Sequence, residues 1–142
     1  KDTVQIAAGG IMIPEAIAAA HRLHEEGIAA NVINVTSARR LYRTLRAARD
    51  AQLADARRQL NLEHLATLFP REERHAPIVT VQDGASHGLA FLGSIYGAPT
   101  VPLGVDTWGQ SGSRAALYEY AGIDSDQIVN AAMLALDLTE DD

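Results

Sequence analysis

Hydrophobic and polar residues alternate in two periods along this chain, and the alternation between periods is regular. Residues 4–8 (Val-Gln-Ile-Ala-Ala) read as a β-strand, which Gly9-Gly10 break. Pro14 suits the first turn of a helix, where its missing N–H is not needed. Ile13, Ala16, Ile17, Ala20, Leu23 and His24 then recur at helical spacing, and Gly27 suits the stop. Residues 30–35 bring β-branched and aliphatic content back as a second strand. A strand–helix–strand unit with its right-handed crossover predicts a parallel pair.

A basic segment follows. Leu41, Leu45, Ala48, Leu53, Ala56 and Leu60 mark one helical side, with arginines elsewhere around the wheel. Pro70 ends it, and residues 71–75 read as an exposed charged loop. Residues 77–81 predict a third strand. A helix through Ile95 follows, with Ser86 as its cap and Gly97 and Pro99 closing it. Residues 100–105 predict a fourth strand, 106–113 a glycine-rich loop and 114–121 a short helix ended by Gly122. Asp124 or Ser125 caps a last helix through Leu138, ahead of the acidic run Glu140-Asp141-Asp142.

Strands and helices that alternate in this way predict an α/β fold. The expected architecture is a three-layer αβα sandwich with a mostly parallel, open sheet of about five strands. The 142 residues, 47% of them hydrophobic, suit one domain over 1–142, with 39–75 as a charged helical insertion. No apolar run approaches the ~20 residues of a membrane-spanning helix. The first residues enter a strand pattern without the build of a secretory signal. Zero cysteines exclude a disulfide frame, a thiolate nucleophile and Cys-ligated zinc, and a cytoplasmic location is the expectation.

The net charge of −6 hides an asymmetry. Residues 39–75 hold nine arginines against five acids, a net +4, while the remainder carries three basic residues against thirteen acids, a net −10. Such an arm pairs with polyanions, with an acidic partner or with the body itself. It contains no lysine and, as aromatics, only Tyr42 and Phe69, so a solvated or protein-contacting face outweighs nucleic acid. Neither nucleic acid nor a membrane is expected as a partner.

Candidate chemistry is sparse. Gly9-Gly10 lie between a strand and a helix, where free N–H groups attract anions, yet they form neither G-x-G-x-x-G nor a P-loop. Gly109-Gln110-Ser111-Gly112-Ser113 lacks the second glycine of a nucleophile elbow, and all five histidines precede it. Ser86 and His87 beside Asp83 are adjacent, so on a helix they point about 100° apart and do not pair easily. His21, His24 and Glu25 share a helical side, but no second cluster completes a metal site. The strand ends and their loops remain. Gly9, Gly10, Asp83, His87, Asp106, Ser111 and Arg114 are the candidate anion- or ligand-binding residues, since open α/β sheets bind ligands at their carboxyl edge.

The segment Gly104-Val105-Asp106-Thr107-Trp108-Gly109-Gln110-Ser111-Gly112 resembles the G-x-D-x-F-G-x-S-G signature of the transketolase carboxy-terminal domain, with Trp108 where phenylalanine is usual. Residues 117–124 and 128–132 resemble that family's closing helices, and the element order agrees from Val4 onward. Asn34-Val35-Thr36-Ser37 and the long arm from Leu41-Tyr42 to Phe69-Pro70 are similar to the homodimeric first component of 2-oxo acid dehydrogenases, the decarboxylating subunit acting on pyruvate.

The resemblance implies a domain that supports the dimer and the subunit scaffold, within a parent enzyme that holds thiamine diphosphate and magnesium between its first two domains. The partners implied are other domains of the same polypeptide, a second copy in a homodimer and an acyltransferase component. The family's cofactor motif begins Gly-Asp-Gly and ends in paired asparagines. Here Gln82-Asp83-Gly84 lacks the first glycine, and Asn31, Asn34, Asn61 and Asn130 are not so placed. No catalytic or metal-binding residue is therefore carried over, and no cofactor is expected in this chain. Transketolase proper and a stand-alone small-anion-binding regulatory domain are the alternatives.

Overall fold

The computed structural model describes residues 2–57, 59, 62, 64–106 and 122–140. Strands β1 (Thr3–Gly9), β2 (Ala29–Val35), β3 (Ile78–Val81) and β4 (Thr100–Leu103) form one parallel sheet in the order β2-β1-β3-β4. These are the four strands that the hydrophobic pattern locates; about five were expected, and four lie among the described residues. β1 is central and Val4 through Ala8 are all buried, as a strand covered on both faces must be. Alternation sends Val4, Ile6 and Ala8 into one helical layer and Ala7, with Gln5, into the other.

The first layer holds α1 (Ile13–Glu25) and α4 (Ser125–Glu140). Pro14 stands in the first turn of α1, and Ala16, Ala19, Ala20 and Leu23 are its buried stripe. In α4 the matching stripe is Ile128, Ala131, Ala132, Ala135 and Leu136. Small side chains bring helices and sheet close together. The larger ones contribute most of the hydrophobic term, roughly 1.5–3 kcal/mol for each fully buried Leu or Ile. Of the two caps that the pattern offers, Asp124 serves α4: its Oδ1 accepts the Gln127 N–H at 3.0 Å. Glu15 in the first turn of α1 accepts the Ser125 N–H at 2.8 Å and ties the two helix starts together.

The second layer is less regular. Ser37 caps α2 (Ala38–Ala54) by accepting the Arg40 N–H, and α3 (His64–Thr67) and a 3-10 segment (Ser86–Ser94) complete the cover. Leu45, Ala48, Leu62, Leu65, Phe69, Leu89 and Leu92 form its core. Three expectations change here. The apolar side read through Leu60 does not continue as one helix: α2 ends at Ala54, where Asp55 is extended and its Oδ1 accepts the Arg57 N–H. That local side-chain bond competes with the next helical one, and Leu53, at 79% exposure, faces no core.

The segment after Ser86 is 3-10 rather than α, with Ala85 instead of Ser86 at its cap position. Its tight course sets Gly93 against β4, where a Cβ would fall 1.8 Å from Thr100 Oγ1. The loop at 71–75 is a 3-10 turn (Arg71–Glu73) that docks onto the domain. Glu73 Oε2 accepts from Gln5 Nε2 at 2.9 Å and from Asn31 Nδ2 at 2.6 Å. Arg74 lies 4.8 Å over the Tyr96 ring and donates to the Phe69 carbonyl.

Candidate functional site

In an order β2-β1-β3-β4 the chain leaves β1 toward one side for β2 and toward the other for β3. The crevice for ligands in an open parallel sheet lies at that reversal, beyond the carboxyl ends of β1 and β3. Gly9 closes β1 there and Gly10 opens a short 3-10 turn (Gly10–Met12) into α1, whose N-terminus has no side-chain cap. Gly9 packs against the residue after β3: a Cβ on it would meet Gln82 Cβ at 3.3 Å. Gln82 spends its amide locally, donating to the Ala85 carbonyl at 2.5 Å. Asp83 is exposed beside it, and His87 is exposed within the 3-10 segment.

Asp106 follows β4 on the same edge. Its Oδ1 accepts the backbone N–H of Ser86 at 2.8 Å. That hydrogen bond, then one with the Ser86 side chain and the nearby charge of His87, holds the Asp106 carboxyl below its ordinary range. Two residues earlier the backbone crosses the 84–86 loop at van der Waals limits. A Cβ on Gly104 would lie 2.4 Å from the Gly84 carbonyl oxygen and 2.5 Å from Ser86 Cα, and the Val105 N–H donates to that same carbonyl. Backbone on both sides cannot yield, so only glycine fits. Gly104 and Asp106 thus lock the end of β4 to the loop after β3.

The edge brings Gly9, Gly10, Asp83, His87 and Asp106 together at strand ends. Ser111 and Arg114, with Trp108, lie outside the described residues. Glu15, which the sequence reading passed over, stands on the same edge at the start of α1; an acid in a helix's first turn was the available signal. With Glu15, Asp83 and Asp106 against one imidazole, these described side chains do not favour an anion.

Other chemistry finds no footing among the described residues. Ser86 gives its N–H to Asp106. Of the His21, His24 and Glu25 trio, His24 turns to β2, where its Nε2 accepts the Ala30 N–H at 3.1 Å. No three His, Cys, Asp or Glu side chains converge as metal ligands among the described residues, and in Gln82-Asp83-Gly84 the Gln82 amide turns onto the Ala85 carbonyl. No described helix is long and apolar enough to cross a membrane.

The described residues of the arm line several surface hollows. One of about 380 Å³ lies at the end of β2, lined by Asn34, Thr36, Ser37, Arg40 and Thr44 among others. A groove of about 540 Å³ runs between α2 and the 3-10 segment, lined by Tyr42, Arg46, Arg49, Leu53, Phe91 and Ser94 among others. Arg49 closes the groove's inner wall by donating to the carbonyls of Ser94 and Ile95.

Comparison with known proteins follows the same lines. The model of the transketolase-like TK carboxy-terminal domain matches residues 1–124. Among solved structures, a split-gene transketolase described as an inactive beta4 tetramer is 30% identical over 97% of this chain, with a TM-score of 0.62. A Pichia stipitis transketolase in complex with sedoheptulose 7-phosphate is 17% identical over 99%, with a TM-score of 0.66. A Campylobacter jejuni transketolase is 17% identical over 91%, with a TM-score of 0.58. The chain spans 40% of the split-gene protein, 17% of the Pichia enzyme and 16% of the Campylobacter enzyme. No curated protein matches it.

Proposed function

Because this chain belongs to the family of transketolase-like carboxy-terminal domains, we propose that it completes a thiamine-diphosphate-dependent enzyme without itself catalysing. The parent is the decarboxylating component of a 2-oxo acid dehydrogenase, with pyruvate as substrate. Residues 1–142 act as one domain that supports the homodimer and the packing of the parent's other domains, which hold the cofactor and magnesium. An acyltransferase component is the partner of the whole, and the setting is the cytoplasm.

The observation that supports the dehydrogenase branch is the arm. Asn34-Val35-Thr36-Ser37 leads into α2, and Leu45, Ala48, Leu62, Leu65 and Phe69 of the arm pack into one hydrophobic layer. A long, integral insertion at this point resembles the pyruvate-acting first component more than ordinary transketolase. The test is turnover by the parent enzyme with thiamine diphosphate and magnesium. Decarboxylation of pyruvate with an artificial electron acceptor is expected, and transfer from a ketose phosphate without it would overturn the branch.

Transketolase proper is the second reading, favoured by the 30% identity to the split-gene protein. In that case the chain acts as part of a separately encoded subunit, and ketose turnover appears only when the complementary subunit is added. A third reading, a small-anion site at the strand-end loops of Gly9, Gly10, Asp83, His87 and Asp106, rests on Ser111, Arg114 and the N–H groups at Gly9 and Gly10, against the acids on the same edge. Calorimetry with inorganic phosphate tests it, and heat without saturation would remove it.

A further inference from the structure

The hydrogen-bonding needs of Gln5 and Glu73 are only partly met. Gln5 stands on the central strand β1 and is 1% exposed. Its Nε2 donates to Glu73 Oε2 at 2.9 Å, and Asn31 Nδ2 donates to the same oxygen at 2.6 Å. The other end of the Gln5 amide, Oε1, is buried and accepts from nothing among the described residues. An acceptor in that position has given up its hydration and gained no bond in return. Glu73 has a need of its own. Both its donors are neutral amides, and no cationic side chain pairs with it among the described residues. Its neighbour Arg74 is turned instead to the Tyr96 ring and the Phe69 carbonyl.

Gln5 and Glu73 border the same hollow. The register of β1 and β2 sets Gln5 opposite Asn31, and the turn at Arg71–Glu73 brings the carboxylate across to both. Beside them lies a hollow of about 430 Å³, lined by Gln5, Asn31, Asn34 and Glu73 with Val32 and Leu68 among others. Small-molecule sites commonly have volumes of this order. No lysine or arginine is among its described lining residues, and Glu73 supplies their only formal charge. The hollow therefore combines one carboxylate, one buried acceptor that lacks a donor, and apolar wall. It suits a cation that also donates hydrogen bonds.

We propose that this hollow binds a primary ammonium group carried on a short aliphatic stem. An ammonium has three N–H donors and a positive charge. One N–H donates to Gln5 Oε1 and another to the Glu73 carboxylate, while Val32 and Leu68 flank the stem. The planar amide keeps Oε1 next to the nitrogen that Glu73 holds, so one ammonium reaches both groups. Because Oε1 lies below the surface, the head must be compact, which favours an ammonium over the broad planar guanidinium. A free amine and a lysine side chain offer the same chemistry. The site is separate from the strand-end loops, and the inference does not depend on the substrate of the parent enzyme.

NMR titration of the 142-residue chain with n-butylammonium chloride tests it. Saturable shifts are expected in the carbon and nitrogen resonances of the Gln5 side-chain amide and in the Asn31 amide. Butyltrimethylammonium keeps the charge and the stem but has no N–H to donate, and it is expected to bind about tenfold more weakly. Glu73→Gln retains an acceptor for Gln5 and Asn31 while removing the charge. It is expected to weaken butylammonium binding by about the same factor, with unchanged circular dichroism. A capped lysine amide, titrated alongside, separates the two sources: affinity equal to that of butylammonium assigns the hollow to a lysine side chain, and weaker binding assigns it to a free amine. Shifts that grow without saturation overturn the proposal. Equal binding of butyltrimethylammonium does so too, since charge and apolar surface would then suffice without a donor. If Glu73→Gln folds and binds as tightly as the unmodified chain, the carboxylate has no part and the proposal falls; if it does not fold, the comparison of the two cations on the unmodified chain decides alone.

Discussion

The two faces of the sheet are covered by different means. Over Val4, Ile6 and Ala8 lie two regular helices, and buried alanines at 16, 19, 20, 131, 132 and 135 set their distance. Over Ala7 and Ile33 lie one long helix, a single helical turn and a 3-10 segment, which surround Phe69 and Leu65 and are held by polar staples: Glu73 on Gln5 and Asn31, Arg49 on two carbonyls, Arg74 on Tyr96. The first face relies on close fit. The second relies on a few large side chains and on hydrogen bonds that pin irregular backbone, and it also carries Gln5 Oε1 and Thr80 Oγ1, buried polar atoms without a partner among the described residues.

If this contrast is right, Phe69→Ala produces the largest loss, about 3–5 kcal/mol, because a large fully buried ring leaves a cavity. Its effect concentrates in hydrogen exchange of residues 38–74, with α1 and α4 still protected. On the other face truncation has little to remove and overfilling does the damage. Ala132→Leu is expected to destabilise by about 1–3 kcal/mol in denaturant unfolding. A loss below a few tenths would show that the alanine stripe is not a tight fit.

Glu73→Ala tests the staples. Removing that carboxylate leaves the Gln5 amide buried and unpaired, an expected loss of about 1–3 kcal/mol, with exchange rising first in the arm. The smallest effect belongs to Asp106, at the edge where both faces end. Its folded carboxyl titrates below its unfolded value, so its contribution is complete above the ordinary Asp range and disappears as pH falls through the lowered one. Asp106→Asn retains an acceptor for the Ser86 N–H and should flatten stability against pH in that acid window. An unchanged acid slope would mean that the carboxylate's charge contributes nothing.

The same division explains what could be read from the sequence. The α1/α4 side follows simple periodicity and was legible, from Pro14 in the first helical turn to the Asp124 cap. On the arm side the pattern continued through Leu53, Ala56 and Leu60, but nothing in it reveals that Leu53 faces solvent or that Asp55 turns its side chain onto the backbone. The 3-10 course at 86–94 depends on Gly93 packing against Thr100, a contact between separate elements that no local period encodes. At the candidate site the strand-end placement of Gly9, Asp83, His87 and Asp106 was foreseeable from topology. The role of Gly104 was not, because the chain it must avoid lies about twenty residues away.

Glu73 also bears on how the sheet closes. β3 must find β1 across the 42 residues that separate Val35 from Ile78, and long loops delay such parallel pairing. Once Glu73 is held at the boundary of β1 and β2, only the four residues 74–77 remain free before β3 begins. The closure entropy of a loop grows with the logarithm of its length, so most of it is met when Glu73 docks, and seating β3 afterwards costs on the order of 2 kcal/mol less than closing the whole loop at once. The arm that lengthens the chain between two neighbours of β1 also carries the residue that shortens the search.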